Sequence, residues 1–130
     1  MTDAKDTRRT GAPGESTYGF AQAVRVGNTV YVSGQTASSE GGTVGVGDMR
    51  AQMAEAYRKI ADLLASYGAT MANVVDETLF VTDMRAAIPA AIEVRREVYG
   101  PAFDVASTLV EVRALAGPDL LVEIKCVATL

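Results

Sequence analysis

The chemistry open to this sequence is set first by a residue it lacks, because its 130 positions include no histidine. The commonest general base and the commonest zinc ligand are absent together. Ser-His-Asp, Cys-His and histidine–zinc chemistries fall away with them. Catalysis would have to rest on carboxylates, hydroxyls, lysine, arginine, backbone dipoles or water. Cys126 is the single cysteine, so neither an intrachain disulfide nor a cysteine-ligated metal cluster can form within one subunit. No metal and no cofactor is expected. Gly45-Val46-Gly47 stands ahead of a helix as a phosphate loop does, but it lacks the full glycine spacing and the Gly-Lys-Ser/Thr ending. Charged groups stand out in the last two apolar runs, where Glu111, Arg113, Glu123 and Lys125 interrupt leucine and valine.

The elements that must position these groups follow from periodicity. Residues 1–19 hold Gly11, Pro13, Gly14 and Gly19 among small polar residues and read as a flexible N-terminal arm with a short strand near Thr7–Thr10. Residues 20–130 then make one α+β domain. Ala21–Val26 and Thr29–Gly34 are β-branched or aromatic, and Gly27-Asn28 between them signals a two-residue hairpin needing positive φ. The glycine-rich stretch Thr36–Gly47 reads as a surface loop.

Asp48 caps a helix whose apolar positions Met49, Met53, Ala56, Tyr57, Ile60, Leu63, Leu64 and Tyr67 recur at helical steps before Gly68. Val74–Thr82 reads as a buried strand. Asp83 caps a second helix over Arg85–Tyr99, with Pro89 near its first turn and Gly100-Pro101 as its stop. Strands at Ala106–Leu115 and Leu120–Ala128 complete the order ββαβαββ.

Two helices with one apolar face each belong side by side on one face of a single sheet. Alternation in the last strands predicts Thr108, Val110 and Val112 beneath the helices with Val122, Ile124 and Cys126. Ser107, Leu109, Glu111 and Arg113 would then share the opposite face with Leu121, Glu123, Lys125 and Val127. That face is too apolar for plain solvent and too charged for a core, which suits contact between subunits.

The composition is 48% hydrophobic and 22% charged with a net charge of −4, within the globular range. An acidic chain without a Lys/Arg cluster is a poor partner for nucleic acid. No stretch approaches a membrane span and the N-terminus has no apolar signal core, so a cytoplasmic location is expected.

Three stretches resemble the Rid (YjgF) family in order and spacing. Tyr18-Gly19-Phe20-Ala21-Gln22-Ala23, Val26-Gly27-Asn28 and Val32-Ser33-Gly34-Gln35 are similar to its GPYSQA, VGN and VSGQ segments. The run from Val74 to Met84 is similar to its DVVKTTVFLTDM strand. Ala106–Val112 and Leu121–Ile124 are similar to its PARSTVEV and VEIEA strands. The resemblance implies a chorismate-mutase-like α+β subunit, a single mixed sheet with two helices on one face. It also implies a homotrimer with a small-molecule ligand in each cleft between subunits.

In the deaminases of that family, the arginine of the PARST stretch grips the carboxylate of a 2-imino or 2-enamino acid. The last-strand glutamate positions the attacking water, and the products are a 2-oxo acid and ammonia. Glu123 matches that glutamate and is the implied catalytic residue; its plainer reading is an interface or surface ion pair with Lys125 or a neighbouring arginine. Phe20, Ser33, Gly34, Ser107 and Leu109 are the implied substrate-binding positions. Ser107 stands where the arginine is expected, and Phe20 replaces a tyrosine. Ile92 also stands where asparagine is common.

A serine hydroxyl cannot replace the arginine's charge. Arg25, Arg95, Arg96 and Arg113 are the candidates to substitute for it, although Arg95 and Arg96 read as the solvated face of their helix. The function expected is hydrolysis of an imine, enamine or related small carbonyl compound at clefts between subunits. The alternative is a non-catalytic trimer that binds a small metabolite there. An older association of the family with RNA cleavage fits poorly with a chain lacking histidine and a basic patch.

Overall fold

The structure is a computed structural model that describes residues 4–130. The first hairpin forms as its sequence dictates. β2 (Ala23–Val26) and β3 (Thr29–Gln35) pair antiparallel, and Gly27 takes the positive φ, 59°, that a mirror-type turn with glycine first requires. The loop that follows carries a small ribbon of β4 (Ser38–Ser39) and β5 (Gly42–Thr43).

α2 (Met49–Ala65) starts at Asp48, whose carboxylate accepts the Ala51 N–H at 3.0 Å. α3 (Met84–Tyr99) starts at Asp83, which accepts from Arg85 and Ala86. Each cap contributes about 1 kcal/mol. Between the helices runs β6 (Val74–Val81), and after α3 come β7 (Ala106–Glu111) and β8 (Val122–Thr129).

Within the N-terminal segment, residues 6–18 form two short elements. β1 (Asp6–Arg8) pairs with β2, and α1 (Pro13–Tyr18) opens with proline and closes on Gly19 at φ 76°. The Arg8 guanidinium lies 4.1 Å from the Tyr67 ring centroid and donates to Ser66, tying β1 to the end of α2. Glu15 accepts from the Thr10 and Gly11 N–H groups and thereby folds the arm back on itself. No sequence signal marked α1, because Gly11, Pro13 and Gly14 read as loop.

The sheet order is β1-β2-β3-β8-β6-β7, antiparallel except for the β6–β7 pair. The sheet is therefore mixed, and α2 and α3 are the crossovers that return the chain to it. Both helices pack on one face. Val30, Val32, Leu79, Val81, Val122, Ile124 and Ala128 are buried there against Met53, Tyr57, Ile60, Leu64 and Val94. Buried alanines of α3, Ala87, Ala90 and Ala91, line the contact of that helix.

The predicted face assignment holds for β8 and is inverted for β7. Ser107, Leu109 and Glu111 lie opposite Glu77, Leu79 and Val81, on the helix side of the sheet. Leu109 packs against the core, and Glu111 Oε1 accepts the Met84 N–H at the start of α3. Thr108 and Val110 lie on the open side. Ala106–Glu111 has leucine and valine adjacent, so apolar periodicity does not fix its phase, and this edge strand has only one sheet neighbour to impose one. The open face carries Tyr31, Phe80, Val110 and Val127 beside Glu123 and Lys125.

Candidate functional site

Two groups of polar side chains stand on opposite faces of the sheet. The first is built on β3 and β8. Glu123 faces the open side, between Phe80 on β6 and the irregular end of β3, where the register with β8 shifts between Val32 and Gln35. Gly34 falls in that irregularity, and a Cβ there would coincide with Glu123 Oε2 and stand 2.7 Å from its Cδ. The carboxylate therefore lies flat on bare backbone that only glycine leaves open.

Ser33 supports this arrangement from the neighbouring position. Its hydroxyl donates to the Ala21 carbonyl at 2.6 Å and its N–H to the Gln22 carbonyl at 2.8 Å. The segment carrying Phe20 is thus fixed beside β3. Phe20 itself is 39% exposed and lines a shallow groove with Glu15, Ser16 and Gly19. Of the implied site residues, Glu123, Gly34, Ser33 and the Phe20 segment are joined in one chain of contacts. Ser107 and Leu109 are not part of it.

The second group surrounds a residue that the sequence reading passed over. Glu77 is 0% exposed, inside the helix face of the sheet. A carboxylate without partners there would cost several kcal/mol. Its Oε1 accepts the Tyr57 hydroxyl at 2.7 Å and the Tyr99 hydroxyl at 2.6 Å. Its Oε2 accepts the Ser107 hydroxyl at 2.6 Å. The two tyrosine rings meet edge to face with centroids 5.9 Å apart. Burial, with the Glu77 charge adjacent, pushes both phenols well above their ordinary range, so they remain donors.

Arg95 completes this cluster from α3, with Nε 3.0 Å from Glu77 Oε2. The contact is an ion pair rather than a hydrogen bond, since Nε is shut off from solvent and its N–H finds no aligned acceptor. The expectation that Arg95 belongs to the solvated helix face is therefore corrected: only 31% of its side chain is exposed. A signal for the cluster was present in the sequence. Glu77 lies two residues before Leu79 and four before Val81, in phase with the buried face of its strand. Arg95 follows Ala87 and Ala91 at steps of four, beside the buried stripe of its helix.

Cys126 is buried on the same face, and desolvation followed by the Glu77 charge pushes its thiol up to about 12, leaving it unreactive. Among the described residues, no group of histidine, cysteine and carboxylate side chains is arranged to hold a metal ion. Ile92 is exposed and lines an open groove with Arg50, Pro89 and Glu93, between the start of α2 and the middle of α3, apart from both groups.

A family model described as Endoribonuclease L-PSP matches residues 11–130. The chain belongs to the Rid (YjgF) family. Among its Rid relatives, the RutC family protein YjgH of Escherichia coli (strain K12) is 33% identical over 109 residues, covering 84% of this chain and 81% of that protein. A 2-iminobutanoate/2-iminopropanoate deaminase of Dermatophagoides farinae is 31% identical over 91 residues, covering 69% of this chain and 70% of that one. Among solved structures, a member of the YjgF/YER057c/UK114 family from Mycobacterium tuberculosis superposes with a TM-score of 0.85 at 35% identity, covering 98% of this chain and 100% of that one. The fold expected of a Rid subunit, a mixed sheet with two main helices on one face, is the fold observed. Among the described residues, no helix is long and apolar enough to cross a membrane.

Proposed function

We propose that this protein hydrolyses a small imine or enamine at clefts between the subunits of a homotrimer, with Glu123 directing water. The observation that carries the reading is Glu123 laid across Gly34 on the uncovered face of the sheet. A carboxylate held there can accept a proton from water as its oxygen bonds to the C=N carbon and the π electrons move to nitrogen. Returning that proton to nitrogen gives a carbinolamine, and passing its hydroxyl proton through the same carboxylate to nitrogen then expels ammonia and leaves a carbonyl. The deaminase relative supports the substrate class, since it is named for 2-imino acids.

The sheet supports a site shared between subunits. Glu123 and Ser107 point to opposite faces, with β6 between their strands. A site using both regions takes them from different protomers. Tyr31, Phe80, Val110 and Val127 give the open face an apolar surface for that contact. A cytoplasmic location fits this chemistry.

Replacement of the family arginine by Ser107 favours a second reading, in which the same trimer binds a small metabolite without turning it over. The hydroxyl of Ser107 is already donated to Glu77 and carries no charge. Generating 2-iminobutanoate enzymatically and following its loss with wild type and Glu123→Gln separates the two. Hydrolysis faster than the buffer rate, abolished in Glu123→Gln, supports the hydrolase. No acceleration by wild type contradicts it.

A further inference from the structure

Both oxygens of the Glu77 carboxylate are hydrogen-bonded without any donor from its arginine. Three hydroxyls satisfy both oxygens with short, charge-assisted hydrogen bonds. Arg95 adds a charge to this set without completing a hydrogen bond, and among the described residues none of its nitrogens has a hydrogen-bond partner. A guanidinium is a planar fork of donors, and a long arginine side chain normally loses rotamer entropy when fixed. Here the fork is held in advance, anchored through Nε while its donor capacity stays open.

The place where it is held is equally specific. Arg95 Nε and the Ser107 hydroxyl both approach Glu77 Oε2, so they lie no farther apart than the sum of their two distances to it. Ser107 is exposed on the edge strand β7, and the Arg95 side chain remains partly open. The guanidinium therefore reaches the surface beside the position where a charged group is missing from β7.

We infer that Arg95 is the anion anchor of this protein, positioned by Glu77, and that its ligand carries a carboxylate. This inference rests on the reading of the cleft given above. Glu77 offsets much of the arginine's charge, so an anion is held here chiefly by paired N–H groups and a second negative charge gains little. A planar monoanion that takes two N–H groups side by side suits the fork best. Glu77, Tyr57 and Tyr99 are positioning residues, since the carboxylate they share lies out of reach of a ligand.

The test measures binding of 2-oxobutanoate, its uncharged amide and inorganic phosphate to the intact protein by NMR titration. Wild type should prefer the oxo acid to the amide by about tenfold to a few hundredfold, and to phosphate. Arg95→Lys keeps a positive charge for Glu77 and should fold as wild type, but it loses the fork and with it most of that preference. Arg95→Met should lose it completely. Equal binding of the oxo acid by wild type and Arg95→Lys overturns the inference, as does indifference of wild type between acid and amide, or tighter binding of phosphate. The two readings fail separately. Selective, Arg95-dependent binding without turnover leaves the anchor and removes the hydrolase, whereas full turnover by Arg95→Lys and Arg95→Met leaves the hydrolase and removes the anchor.

Discussion

Glu123 and Gly34 are matched: the carboxylate occupies the volume that a side chain on residue 34 would take. Their strands are neighbours, yet the contact depends on the break in register near the end of β3. A regular strand with an ordinary residue there would turn the carboxylate away.

Gly34→Ala is therefore expected to act on the reaction more than on the fold. The displaced group is the end of a flexible side chain, so unfolding midpoints should move little, while turnover of 2-iminobutanoate should fall by about a hundredfold, the lower range for losing a positioned acid–base group. Steady-state rates beside thermal melts check this pairing. A melt lowered as severely as the rate would speak for general damage.

The Glu77 cluster should show in stability. Tyr57→Phe and Tyr99→Phe each remove one hydrogen bond to a buried charge and should cost about 1.5–3 kcal/mol. The double variant should not be additive, because both hydroxyls share Oε1. Glu77→Ala strands three hydroxyls and a guanidinium and should cost about 3–5 kcal/mol. Denaturant unfolding of the four variants beside wild type measures these differences.

Restoring an arginine on β7 should not restore a typical family site. Ser107→Arg deletes a donor to Glu77 and sets a second guanidinium beside Arg95. Turnover is expected to stay at or below wild type and stability to drop, both readable from one preparation. A clear gain in rate would mean that the anchor is not already filled.

Glu15 links the N-terminal arm to acidity. The Thr10 N–H foremost, with the Thr10 hydroxyl and Gly11 N–H, holds its carboxyl below the ordinary value of 4.5. Because the folded value is the lower one, the contribution to stability is present above the unfolded value and is lost as pH falls through the folded value. Wild type should exceed Glu15→Gln in stability near neutrality, and the gap should close on acidification below 4.5. A constant gap across that range would contradict the linkage.

Much of the fold could be read from the sequence because single residues carried strong signals. Asp48 and Asp83 marked both helix starts, Gly27-Asn28 marked the hairpin, and the apolar steps of α2 and β8 fixed their faces. β7 could not be phased, since Leu109 and Val110 are both apolar and the side chains that decide the matter, Glu77 and Glu111, belong to tertiary contacts. The same blindness hid half of the candidate site. A buried acid surrounded by hydroxyls from two helices and an edge strand is assembled only by folding, whereas Glu123 and Gly34 belong to local motifs.

Subunit complementation tests the shared cleft most directly. Glu123→Gln and Arg95→Lys each disable one face, and co-expression should produce mixed trimers in which some clefts join an intact Glu123 to an intact Arg95 of the next protomer. With random assembly about a quarter of clefts are whole, so activity should recover to about a quarter of wild type. A mixture no more active than the two variants assayed apart would contradict a site divided between subunits.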